Sequence, residues 1–173
     1  MDVILEQLVA RKKTPVDMIK IMATFLASVV AASALVFIVA PYLGTFATFV
    51  ALSSVGVLYG GYQLAISYNI EYEYIIINNE IDVDKIIARR RRKRILTTKI
   101  TNWEKFGIYE KAKCDFPTDT IVDACADSRA ANNYCALFNH NKLGKTLLIF
   151  SPNEKMLENV QKYITSAMKI QID

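Results

Sequence analysis

The densest chemistry in the chain is a run of six cations, Arg89-Arg90-Arg91-Arg92-Lys93-Arg94. Like charges this close repel one another unless water or anions surround them. The run therefore suits contact with anionic headgroups or with an acidic partner, or a solvated strand edge that blocks pairing with other chains. Glu71, Glu73, Glu80, Asp82 and Asp84 stand nearby in sequence and can balance part of the charge. If strands run through the segment, Arg90, Arg92 and Arg94 face one way and Arg89, Arg91 and Lys93 the other. If a turn falls inside it, the cations fan out at a sheet edge. Nucleic acid is not an expected partner, because no aromatic stacking platform or reading helix accompanies the run.

Catalytic chemistry has little to work with. His140 is the only histidine and reads as a surface or turn residue. Cys114, Cys125 and Cys135 have no CxxC spacing, so neither a zinc site nor a disulfide framework is expected, and they read as reduced thiols. The chain has no Gly-rich phosphate loop, no HExxH and no GxSxG. The expectation is a non-enzymatic protein with no catalytic residues, no metal site and no cofactor.

These residues are positioned by a very uneven chain. From Ile21 to Ile70 there is no Asp, Glu, Lys, Arg or His. A bilayer span needs about 20 mostly apolar residues, so this stretch is long enough for two. Pro41 to Thr45 breaks it near the middle. The pattern predicts a two-helix transmembrane hairpin over residues 15–67, with spans of about 18–40 and 46–67. Thr14-Pro15-Val16-Asp17 is a helix start, with Thr14 as cap, Pro15 in the first turn and Asp17 in the positive first turn. Ala23, Ala27 and Ala31 on the first span, and Gly56 and Gly60 on the second, are small residues at four-residue spacing. They are the expected helix-packing positions, within the hairpin, between copies or against another membrane protein. Arg11, Lys12, Lys13 and Lys20 before the first span, and the basic run after the second, put both termini on the cytoplasmic side of a multi-pass protein of the cell membrane. Residues 1–14 carry Ile4, Leu5, Leu8 and Val9 at helical spacing, which predicts an N-terminal amphipathic helix.

Residues 68–173 read as a cytoplasmic domain. They hold 17 Lys and Arg against 14 Asp and Glu. Tyr68, Ile70, Tyr72, Tyr74 and Ile76 alternate as in a strand, Asn78-Asn79 is a turn, and a second strand spans Ile81 to Ile87. Strands are also expected at Arg94–Ile100, Thr101–Ile108, Thr120–Ala126, Asn133–Asn139 and Lys145–Phe150, with a loop over 109–119. A closing helix begins at Ser151-Pro152-Asn153-Glu154, with Ser151 as its cap, Pro152 in the first turn, Glu154 three residues on, and Leu157, Val160, Ile164 and Met168 as its apolar stripe.

Successive antiparallel strands and then one amphipathic helix make a pleckstrin-homology-like layout. The segments Tyr74-Ile75-Ile76-Ile77-Asn78-Asn79-Glu80-Ile81-Asp82-Val83 and Ile100-Thr101-Asn102-Trp103-Glu104, with two spans before them and a basic stretch between them, resemble bacterial membrane-flanked pleckstrin-homology-like domains over about residues 15–170. The resemblance implies an α+β membrane protein: a transmembrane hairpin, then a bent antiparallel sheet closed by a C-terminal helix. Residues 152–170 lack the Trp that eukaryotic relatives carry in that helix, so phosphoinositide specificity does not transfer. Two functions stand open. One is a membrane-anchored binding or scaffold module that contacts anionic lipid through Arg89–Arg94, or a protein partner through that run or an exposed sheet edge or face. The other is an accessory subunit recognised through its transmembrane hairpin.

Overall fold

The computed structural model of the chain describes residues 4–110, 114 and 116–169. The chain forms two compact units: Met1–Lys12 together with Ile70–Asp173, and Lys13–Asn69.

Among the described residues, the first unit contains two four-stranded sheets. In one, β1 (Ile4–Ala10), β2 (Ile70–Ile77), β3 (Glu80–Ile87) and β4 (Arg91–Lys99) follow in that order, every pair antiparallel. In the other, β5 (Trp103–Ile108), β6 (Thr120–Asp123), β7 (Tyr134–His140) and β8 (Gly144–Phe150) are arranged β5-β7-β8-β6. The β6–β8 pair is parallel, so the expectation of a wholly antiparallel sheet is corrected there.

The expected N-terminal helix is instead β1. Its apolar residues at 4, 5, 8 and 9 fit a helix face, but the free edge of β2 offers seven paired positions from Ile4↔Ile77 to Ala10↔Glu71. Ladder pairing satisfies backbone groups that a short helix of this length would hold poorly. Val9 is buried and Leu5 and Gln7 are partly so, while Ile4 and Leu8 face outward and are exposed. The part of that expectation on residues 1–3 lies outside the described residues.

The other strand predictions match their elements to within a few residues. Asn78 takes a left-handed φ of 56°, as its turn between β2 and β3 requires. His140 ends β7 at the turn into β8, where its Nδ1 accepts from the Lys142 and Leu143 N–H groups, and its partner Gly144 closes that turn at φ 68°. The closing helix, α3 (Glu154–Gln161), is shorter than its apolar spacing implies. Its cap is Asn153, whose side chain accepts from the Met156 N–H at 2.9 Å, rather than Ser151. Ser151 instead joins a buried polar network. Its Oγ donates to Asn133 Oδ1 at 2.6 Å, and its N–H donates to the Tyr74 hydroxyl, which itself donates to the Ala124 carbonyl. Gln7 ties β1 to the same corner, donating to the Ser151 carbonyl and accepting from the Asn153 N–H.

The core lies between the sheets and α3. Tyr74, Ile76, Ile81, Val83, Trp103, Phe138, Phe150, Met156 and Val160 are all buried within it. Trp103 stacks on Phe106 with ring centroids 5.4 Å apart, and Tyr74 meets Phe150 edge-on at 5.7 Å. The opposite face of the second sheet has a smaller core of Cys114, Cys125, Cys135, Leu137, Leu147 and Ile149, flanked by Tyr109 and Phe116.

In the second unit, α1 (Pro15–Ala34) begins with the expected cap. Thr14 Oγ1 accepts from the Asp17 N–H, and Asp17 Oδ2 accepts from the Thr14 N–H. A π-helical turn over Leu35–Val39 and two 3-10 turns, Ala40–Tyr42 and Gly44–Phe46, lead into α2 (Ala47–Ile66). The whole helical run Pro15–Ile66, with a mean hydropathy of 2.4 in its best window, is long and apolar enough to cross a membrane. The side chains of Ser28 and Ser54 bond back to the Phe25 and Ala51 carbonyls, which satisfies both hydroxyls within their own helices.

Candidate functional site

The six cations sit on a hairpin. Ile87 pairs with Arg91, and Ala88 and Arg89 form the turn with φ of 54° and 56°, closed by the Arg90 N–H to the Ile87 carbonyl at 3.1 Å. Left-handed backbone costs about 1–2 kcal/mol at a residue with a Cβ. An anchor offsets part of that cost here: Arg89 Nε donates to Glu71 Oε1 at 2.9 Å.

From Arg91 the chain is extended, so alternate cations separate. Arg92 and Arg94 lie over the acids of β2 and β3. Glu73 and Asp84 face each other across the strands and are nearly fully buried. Arg92 pairs with Glu73 and lies 3.9 Å from Asp84. Arg94 reaches Asp84 at 3.1 Å and Asp82 at 2.9 Å, and Thr97 donates to Asp82. A register shift between Val83 and Asp84 sets Asp84 opposite Arg94. Burial pushes the Glu73 carboxyl above its ordinary value. A hydrogen bond with Glu6 adds to the rise, and Arg92 opposes it. Arg94 is held more firmly charged, chiefly by its bond to Asp84. The expected balancing of the run by these acids is therefore met by Arg89, Arg92 and Arg94.

The other face is different. Arg91 and Lys93 project away from the acids, and Lys93 pairs in register with Lys85. Like charges directly opposite on a ladder repel. Among the described residues no ion pair is found for Lys85, Arg91 or Lys93. These three cations form a patch beside Ile70, Tyr72 and Ile87, which share that face by register. Lys85 was missed in the sequence because it stands outside the run. The signal that could have found it is its in-register position opposite Lys93.

The location of this patch follows from the ladder. The Arg11 N–H donates to the Ile70 carbonyl at 3.0 Å, Ile70 pairs with Ile87, and Ile87 pairs with Arg91. Arg11, Ile70, Ile87 and Arg91 thus lie side by side at one end of the sheet. The chain leaves this unit after Lys12 and returns to it at Ile70. Both connections to the apolar helical run therefore emerge at the end that carries the basic turn.

The expected packing positions lie away from the contact between α1 and α2. Ala23, Ala27 and Ala31 are exposed on α1, and a Cβ on Gly56 or Gly60 would meet nothing within 4 Å. The contact between the two helices falls instead on Ser28 and Gly61, where an added Cβ would clash with the Ser28 side chain, and Ala32 and Ser54 are also buried. Gly61 is one residue from the GxxxG pair, so it points about 100° away around the helix.

Burial dominates the buried thiols and phenol. It pushes the Cys125 thiol up to about 12, with Asp123 adding to the rise, and it raises Tyr74 and Cys135 above their ordinary values. Among the described residues no group of His, Cys, Asp and Glu is placed to hold a metal ion.

Compared with known proteins, the family described as bacterial PH-like domain (DUF6106) matches residues 1–170. No curated protein and no solved structure matches.

Proposed function

We propose, because the chain belongs to this family of bacterial PH-like domains, that it is a membrane-anchored, non-enzymatic binding or scaffold module whose basic turn contacts anionic lipid headgroups. PH-like domains are typically non-catalytic binding modules. The observation that carries the lipid reading is the patch of Lys85, Arg91 and Lys93 at the sheet end where the chain leaves for, and returns from, the apolar run. The basic run follows the apolar one by about twenty residues in sequence, and the ladder supports its return to the membrane side of the domain. Each cation near an anionic surface contributes about 1 kcal/mol.

Anchoring by a two-span hairpin, with both termini cytoplasmic, is supported by two further observations. β1 precedes the helical run and β2 follows it, yet they pair over seven positions. Strands of one sheet lie on one side of a membrane, so a single crossing between them is not compatible with that pairing. Ser28 and Gly61 would also stand about 50 Å apart on one straight helix, so their contact favours a run that folds back.

The test is flotation of the domain, freed of the helical run, on neutral and anionic vesicles across a salt series. Binding restricted to anionic vesicles and lost with salt is expected. Absence of binding refutes the lipid role and moves attention to protein partners of the sheet.

A second reading, an accessory subunit recognised through its helices, is favoured by one observation: Gly56 and Gly60 face away from the intramolecular contact. Changing both to Leu is expected to leave the domain folded and to remove co-purifying membrane partners or self-association. Retention of every partner overturns it.

A further inference from the structure

Three cysteines far apart in sequence converge on the outer face of the second sheet: Cys114 from the connection between β5 and β6, Cys125 just after β6, and Cys135 within β7. All three are buried and none is in a disulfide. Cys114 and Cys135 stand out, because their sulfurs are 2.9 Å apart. A disulfide needs about 2.05 Å, so the two atoms must approach by less than 1 Å. Cys114 is the more accessible partner, at 4% exposure against 0% for Cys135. It lies on a connection rather than in a ladder, with its N–H donating to the Glu110 carbonyl at 2.9 Å. Cys135 is fixed by β5 on one side and β8 on the other, through Gly107 and Ile149.

We propose that Cys114 and Cys135 form a reversible disulfide site, oxidised by a low-molecular-weight disulfide such as glutathione disulfide, with Cys125 remaining a thiol. In the first step the Cys114 thiolate attacks one sulfur of the reagent. The reagent's S–S bond breaks, and one half leaves as a thiolate that takes up the proton Cys114 released. In the second step the Cys135 thiolate attacks the Cys114 sulfur of this mixed disulfide. The second half of the reagent leaves and takes the Cys135 proton. Two electrons pass from the two cysteines to the reagent, which departs as two thiols. The new bond pins Cys114 against the apolar face of Leu137, Leu147 and Ile149 that Tyr109 and Phe116 flank. In the reduced state Cys114 is held there by packing, by its N–H to the Glu110 carbonyl at 2.9 Å and by its thiol to the Ile108 carbonyl at 3.9 Å.

The experiment uses the full chain in detergent micelles, reduced and then equilibrated with excess glutathione disulfide. A parallel sample is equilibrated in urea just below the unfolding midpoint, so that access to the buried sulfurs does not limit the result. Thiols are then alkylated after denaturation. The expected result is a fall from three alkylatable thiols to one, with a loss of two hydrogens in mass. A peptide of residues 114–129 should be joined to one of 130–142, and cleavage at aspartate should assign the bond to Cys114 rather than Cys125. Cys125→Ser should keep the bond and Cys114→Ser should abolish it. Three alkylatable thiols in both samples, or a bond through Cys125, overturns the proposal.

Discussion

Charge placement, rather than charge count, should decide membrane contact, and two double substitutions separate the two. Arg91→Gln with Lys93→Gln removes two cations that have no ion pair among the described residues. Arg92→Gln with Arg94→Gln removes the same formal charge, but from side chains that Glu73, Asp82 and Asp84 already neutralise. At about 1 kcal/mol per cation near an anionic surface, the first pair should weaken binding to anionic vesicles by about 2 kcal/mol, or roughly 30-fold. The second should change binding less than about 3-fold. Its cost should appear in folding instead. Stripping the partner from a buried ion pair costs about 3–5 kcal/mol. The guanidinium groups here are about half exposed, with side chains 54% and 55% accessible, which brings the expected loss nearer 2 kcal/mol. The domain for this assay is Met1–Lys12 joined to Ile70–Asp173. A short Gly/Ser linker suffices, because the Arg11 N–H and the Ile70 carbonyl already lie 3.0 Å apart. A fragment starting at residue 70 would lack β1 and leave the edge of β2 bare. Flotation reads binding, and the emission of Trp103, the only tryptophan and a buried one, reads folding in urea. Equal loss of binding in both variants at matched folded fraction would refute the reasoning, since only net charge would then matter.

Two further outcomes follow from the packing. Gly61→Leu in the full chain should disrupt the helical unit through Ser28, read as lost thermal stability in detergent, whereas Gly56→Leu should not; equal effects would refute the assigned contact face. Tyr74→Phe should cost about 1–3 kcal/mol in urea unfolding, because the Ala124 carbonyl and the Ser151 N–H lose a shared partner. Because burial raises the Tyr74 pKa, its contribution is complete below the ordinary phenol value near 10 and declines as pH climbs above it. The Phe variant should therefore show a shallower fall in stability above that pH, and an unchanged slope would refute the assignment.

Most of the domain was legible because its strands alternate cleanly and its turns use residues with a mechanism. Asn78 adopts the left-handed φ that its turn demands, and His140 and Gly144 shape the next one. β1 was not legible, since apolar positions 4, 5, 8 and 9 fit the helical period, and only pairing with the distant edge of β2 overrides it. The end of α3 was hidden for a related reason: Ile164 and Met168 continue the helical spacing beyond Gln161, but the regular helix stops there. Within the basic run, alternation of faces was readable, but the turn at Ala88–Arg89 was not, because neither residue favours a positive φ. That turn swings Arg89 onto the acidic side with Arg92 and Arg94. On the helices the contact at Ser28 and Gly61 was not legible, as composition does not say which small residue meets a neighbour within the chain and which meets the surroundings.

The β1–β2 ladder also has a consequence for synthesis. β1 leaves the ribosome first, and its partner follows only after Lys13–Asn69 has been made. At about 5–20 residues per second that interval is roughly 3–11 s. Throughout it the nascent chain carries an unpaired apolar strand ahead of an apolar helical run. β1 has no Pro or Lys to discourage association with other strands during the wait, and Glu6 is its one charged side chain. Synthesis of the helical run and completion of the sheet are thus coupled in time: slowing the first prolongs the interval in which β1 stands unpaired.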